Sequence, residues 1–150
     1  MTADMGCTEL DGALTFTYEK SKRFDHQPKY VFLLTDGDVG NPDSVIGIVK
    51  RHNKSCRTFT LGVGSGASPY LVREIANAGR GKAEMVINSD MIQNKIMYLL
   101  NHAISPVLDD FRFKFDTNLV EMMTPGESSH LTILKNEPIK MFVFMKPEFN

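Results

Sequence analysis

A chain of 150 residues fits one ordinary domain, and its 42% hydrophobic content allows a packed core. Seventeen basic and eighteen acidic side chains leave a formal charge of −1. That balance argues against bulk nucleic-acid binding, which depends on neutralising many phosphates. No stretch approaches the roughly 20 apolar residues that cross a bilayer, so no membrane partner is expected.

The opening MTADMGCTEL has neither the basic nor the apolar segment of a secretion signal, so a cytoplasmic chain is expected. A signal peptide upstream in the natural protein would make it secreted instead. Cys7 and Cys56 have no metal-ligand spacing and are expected to be free thiols, buried or half-buried.

In chain order, Glu9 to about Lys22 reads as a helix with Leu10, Ala13, Leu14 and Tyr18 on one side. Tyr30 to Leu34 is a continuous apolar run, the pattern of a parallel strand covered on both faces. Asn41-Pro42-Asp43 supplies a helix cap, a proline at the first helical position and an acidic first turn. The helix it opens carries Val45, Ile46, Ile48 and Val49. It ends in a basic cluster from Lys50 to Arg57, favoured at a helix C-terminus.

Arg57 to Val63 is a second strand, followed by the loop Gly64-Ser65-Gly66-Ala67. Ser68-Pro69 then starts another helix, which Ala78-Gly79 ends. Lys82 to Ile87 is a third strand. Ser89 or Asp90 caps a last helix with Ile92, Ile96, Leu99, Leu100 and Ala103 in one stripe. Strands alternating with helices predict an α/β fold: a partial doubly wound, Rossmann-like parallel sheet with flanking helices.

The pattern changes at Pro106. Phe111, Phe113 and Phe115 alternate with polar residues, Pro125-Gly126-Glu127 is a turn, and Leu131–Leu134 and Ile139–Phe144 read as strands. Residues 106–150 are therefore expected to form a short antiparallel β extension after a first region of 1–105.

Ligands of open α/β sheets bind beyond the carboxyl ends of the strands. Two oxygen-bearing groups fall there: Asp36, just past the apolar strand and followed by Gly37 and Asp38, and Thr8, ahead of the first helix. A hydroxyl and a carboxylate at one edge suit Mg²⁺. Thr8 is equally able to be a plain helix cap with Asp11 at N3, and a strand-terminal Asp-Gly is a common turn.

GCTEL, then a helix, then VFLLTDGDV resembles the second and third motifs of the von Willebrand factor A-type domain. The likeness continues through FTLGVGSGAS and LVREIANAGRGKAE to the last helix. Together with the following β stretch it looks most like the inter-alpha-trypsin inhibitor heavy-chain and vault poly(ADP-ribose) polymerase branch. The resemblance implies a non-catalytic protein-interaction module of adhesion type. Thr8 and Asp36 would serve as metal ligands and Asp38 would stand behind them, with a partner's acidic side chain completing the coordination of the cation.

The family's first motif, Asp-x-Ser-x-Ser, does not occur in these 150 residues, and Cys7 stands where the branch usually has glycine. The chain is therefore expected to be a truncated, C-terminal part of the domain, with Mg²⁺ bound weakly or not at all. By the family's strand order, the strand ending at Asp36 should have one unpaired flank. Another chain, an exchanged element or the tail after Pro106 is expected to cover it, making homo-oligomerisation or strand exchange a partner expectation.

Two readings compete with this one. The chain could be a scaffold fragment of a larger enzyme such as a poly(ADP-ribose) polymerase. It could also be a Mg²⁺-dependent phosphoacceptor or hydrolase using Asp36, which needs an acidic cluster at an earlier strand end. Gly62-x-Gly64-x-Gly66 lacks the final glycine of a dinucleotide fingerprint, since position 67 is Ala67, and its register against the strand is wrong. His26, His52, His102 and His130 have no metal spacing. Met85, Met91, Met97, Met122 and Met123 read as core filling.

Overall fold

A computed structural model describes residues 10–24, 26–87, 91–109, 115–116, 118–126, 132–134 and 138–147. The chain divides into two compact units, Met1–Ile104 and Ser105–Asn150.

In the first unit, α1 (Leu10–Ser21) is followed by a short 3-10 turn at Lys22–Phe24 and then by β1 (Tyr30–Thr35). After these come α2 (Pro42–His52), β2 (Arg57–Val63), α3 (Pro69–Ala78), β3 (Ala83–Val86) and α4 (Ile92–Ile104). The three strands form a parallel sheet in the order β1-β2-β3, with Tyr30 opposite Arg57 and Thr60 opposite Ala83.

Both expected cap-then-proline devices are in place. The Asn41 side chain accepts from the Ser44 N–H at 3.3 Å, and the Ser68 hydroxyl accepts from the Leu71 N–H at 3.4 Å. Each satisfies one of the orphan amides of a helix start, and Pro42 and Pro69 remove another donor at no cost.

Helices cover the sheet on both sides. One core cluster joins Leu10, Leu14 and Tyr18 of α1 to Val45, Ile48 and Val49 of α2 and to Leu71 and Ile75 of α3. The other joins Phe59 and Leu61 of β2 to Val86, Leu99 and Ala103. Side chains as enclosed as Phe59, Leu71 and Ile75 each contribute roughly 1.5–3 kcal/mol through burial. Ala13 lies outside the α1 stripe, exposed, because only the four-residue repeat Leu10, Leu14, Tyr18 meets the core.

The buried strand is β2. Arg57 to Gly62 are all buried, whereas β1 exposes Tyr30 and Leu34, the latter 56% accessible. The expectation that Tyr30–Leu34 is covered on both faces is therefore corrected. Among the described residues β1 pairs with β2 alone, so it is an edge strand despite its composition.

The two threonine hydroxyls of β2 find partners within the chain. The Thr58 hydroxyl meets the Tyr18 hydroxyl at 2.6 Å, and the Thr60 hydroxyl donates to the Val72 carbonyl at 2.5 Å. Arg57 is not part of a solvated cap. It is buried in β2, its Nε donates to the Arg80 carbonyl at 2.9 Å and its guanidinium lies over the Phe59 ring. Leu100 is half-exposed at the margin of the α4 stripe.

Among its described residues the second unit has two antiparallel ribbons. β4 (Val107–Asp109) pairs with β6 (Thr132–Leu134), and β5 (Val120–Thr124) pairs with β7 (Phe142–Met145). The sequence did not anticipate β5. Phe111 and Phe113 of the expected alternating strand lie outside the described residues. Met91, Met97 and Met122 are exposed rather than core-filling.

Candidate functional site

Parallel βα connections bring the strand C-termini and the following helix N-termini to one edge of the sheet. Asp36 sits there, one residue beyond β1, and its side chain is exposed. The preceding Thr35 is buried, and its hydroxyl lies 3.3 Å from the Gly37 carbonyl and 3.5 Å from the Gly37 amide. This small hydroxyl turn fixes the chain as it leaves the strand.

Three carboxylates on neighbouring segments differ in how they are engaged. Asp38 turns one oxygen back to the Val39 N–H at 2.9 Å. Asp11, in the first turn of α1, accepts a hydrogen bond from the Ser44 hydroxyl in the first turn of α2. Asp36 forms neither a hydrogen bond nor an ion pair with any described residue. It alone of the three has both oxygens available.

Thr8 lies outside the described residues. The structure thus locates Asp36 and Asp38 in one turn but does not bring the expected pair Thr8 and Asp36 together. Among the described residues no three His, Cys, Asp or Glu side chains converge as a metal-binding group would. An exposed carboxylate is the kind of hard oxygen donor Mg²⁺ prefers, and Asp36 is one such donor.

The loop Gly64–Ala67 between β2 and α3 closes on this turn. A Cβ placed on Gly66 would lie 2.8 Å from the Asp36 carbonyl oxygen, a contact no side chain could keep without moving one backbone or the other. The sequence signal for this contact was present in the glycine-rich run, but spacing alone could not say what Gly66 touches.

Two buried groups away from this edge have shifted acidities. Burial pushes the Cys56 thiol up, with Lys29 opposing, and burial likewise raises the Tyr18 phenol against the opposing hydrogen bond from Thr58. Cys56 is a free, buried thiol, as expected; Cys7 lies outside the described residues.

With the parallel sheet, the Asp36 turn and the chain order in view, sequence comparison decides the family. The chain is 32% identical over 133 residues to von Willebrand factor A domain-containing protein 5B1 of Mus musculus and 36% identical over 130 residues to protein 5A of Rattus norvegicus. It is homologous to von Willebrand factor A domain-containing proteins.

The 5A protein of Mus musculus is similar as well, at 31% identity over 145 residues. These alignments cover 87%, 85% and 95% of this chain respectively. They span only 11%, 16% and 18% of the relatives' own lengths. No protein-family model matches the chain. The expected fold class holds: a three-stranded parallel sheet flanked by helices, with short antiparallel pairing after it. No helix among the described residues is long and apolar enough to cross a membrane.

Proposed function

We propose that this chain is part of a von Willebrand A-type protein-interaction module whose ligand edge is centred on Asp36, and that it is not itself catalytic. The observation that carries this reading is the exposed, unengaged Asp36 carboxylate at the carboxyl end of β1, in a chain homologous to proteins of that family. Asp36 and Thr8 are the proposed ligands of a divalent cation such as Mg²⁺. Asp38 braces the turn through Val39. When bound, the cation supplies a positive point that an acidic side chain of a protein partner can complete.

Asp36 contributes one charged oxygen donor and the Thr35–Gly37 turn holds its backbone in place. One carboxylate and one hydroxyl leave most of a near-octahedral shell to water, so weak affinity belongs to the proposal. Placement within the inter-alpha-trypsin inhibitor and vault polymerase branch is supported by the FLLTDG-type strand followed by a β-rich stretch, and it is likewise part of the proposal. The unpaired outer flank of β1 is proposed to be covered by a strand, from another chain or by exchange. Tyr30, Phe32 and Leu34 turn their backbone groups to that side, given the Arg57 N–H to Lys29 carbonyl bond on the other.

The direct test is a calorimetric Mn²⁺ or Mg²⁺ titration of wild type against Asp36→Ala. The expected result is weak binding that the substitution abolishes. Equal heats from both proteins would sink the cation reading. A second reading is a scaffold within a larger enzyme; this chain spans only a small share of the length of its relatives. A catalytic domain elsewhere in the same gene product would decide for it.

A further inference from the structure

Gly62, Gly64 and Gly66 look like one flexible motif, but the structure gives each a separate reason. At Gly62 a Cβ would collide with the Met85 sulfur on the neighbouring strand. At Gly64 the backbone is left-handed, with φ at 80°, and a Cβ would meet nothing within 4 Å. Gly66 differs from both. Its φ lies outside the left-handed region, it is exposed, and among the described residues the heavy atoms a Cβ would meet belong to the Asp36 peptide.

We propose that Gly66 is a positioning residue for Asp36. The β2–α3 loop seats against the Asp36 carbonyl through the face of Gly66 that has no side chain, and so sets where the Asp36 carboxylate stands at the ligand edge. The inference rests on the cation reading of Asp36 for its functional consequence, though not for the contact itself. The argument is one of available space. The turn after β1 is held from one side by the Thr35 hydroxyl and from the other by this loop. An L side chain at 66 could be accommodated only by moving the loop or the Asp36 peptide, because the atom it meets is main chain. Since Ser68 caps α3 two residues later, the loop has little slack on its far side.

The test compares wild type, Gly66→Ala, Gly64→Asn and Asp36→Ala by NMR, first metal-free and then with Mn²⁺ as the probe. Gly64→Asn changes the same loop at a position where asparagine tolerates the backbone and its Cβ would meet no described residue within 4 Å. In the metal-free protein, Gly66→Ala is expected to move the Asp36 carbonyl and Gly37 amide resonances, and Gly64→Asn to leave them in place. With Mn²⁺, Gly66→Ala is expected to weaken binding about tenfold, as loss of a group that orients a ligand does, at an unchanged urea midpoint.

Unmoved Asp36 and Gly37 resonances with wild-type Mn²⁺ affinity in Gly66→Ala would overturn the proposal while leaving the cation reading intact. Equal Mn²⁺ response in wild type and Asp36→Ala would remove the cation reading, and the metal-free resonances would then decide the positioning role alone. If Gly66→Ala does not fold, wild type decides. Cross-relaxation between the Gly66 α-protons and the protons of Asp36 or Gly37 is expected, and its absence overturns the proposal.

Discussion

β1 and β2 run side by side in the same parallel sheet and reverse what their compositions suggest. YVFLLT is almost wholly apolar yet exposes both Tyr30 and Leu34; RTFTLGV contains an arginine and two threonines yet is buried from Arg57 to Gly62. The difference lies in sheet order. A central strand has neighbours on both edges and helices on both faces, so even its polar side chains are enclosed and draw on partners inside the fold. Thr58 and Thr60 do so through Tyr18 and Val72, and the Arg57 Nε through the Arg80 carbonyl. A strand at the edge keeps an open side whatever its hydropathy. Burial is a property of position in the assembled sheet, and an apolar run states only that the strand tolerates burial.

The comparison is broken most severely at Phe59, fully buried against the Phe32 and Tyr30 rings. Phe59→Ala is expected to cost about 3–5 kcal/mol, read as a fall in urea midpoint at constant slope. Next comes Tyr18→Phe, which leaves the buried Thr58 hydroxyl without its α1 partner. A loss of about 1–3 kcal/mol is expected from the same measurement.

Leu34→Ser probes the other strand, and in an isolated chain it should fall within about 0.5 kcal/mol of wild type. A loss several times larger would mean that the outer flank of β1 is covered in solution, which would sharpen the contrast into one between two kinds of partner.

The smallest effect is in pH dependence. Cys56 and Tyr18 are both raised above their ordinary values of 9.0 and 10.0, chiefly by burial. A folded-state value above the unfolded one means the folded form disfavours the anion. The associated stability is therefore complete below about pH 9 and is lost as pH rises through the folded values. The urea midpoint should decline as pH rises above about 9, and less so in Cys56→Ala. In the native protein at neutral pH the Cys56 thiol should react with a thiol reagent only as fast as the structure opens.

Much of the first unit was legible because its signals are local. Asn41-Pro42 and Ser68-Pro69 mark helix starts through contacts within four residues, and both were placed correctly. What escaped depended on distant partners. The unpaired flank of YVFLLT was expected, but the exposure of Tyr30 and Leu34 depended on what packs over the strand and not on its composition. Ala13 could be told from Leu14 only by which face of α1 meets the core. Strand β5, VEMMT, carries little alternation and is defined by pairing with Phe142–Met145 across a register irregularity, so its own residues announce almost nothing. Asp36 was found at the strand end by the general rule for α/β sheets, but the contact with Gly66 joins residues thirty positions apart and no spacing rule contains it.

The spatial order of the first sheet copies its order in the chain, β1 then β2 then β3. Among these three described strands none has to be inserted between two already formed, so each new pairing closes only one helical loop. Such a sheet can zip in the direction of synthesis, with each βα unit docking on a template already present. Loop-closure entropy is then met in small instalments, and the assembly barrier should concentrate in the first pair, β1 with β2. Substitutions in β3 and α4 are accordingly expected to accelerate unfolding more than they slow folding, which stopped-flow measurements on Val86→Ala and Leu99→Ala can read directly.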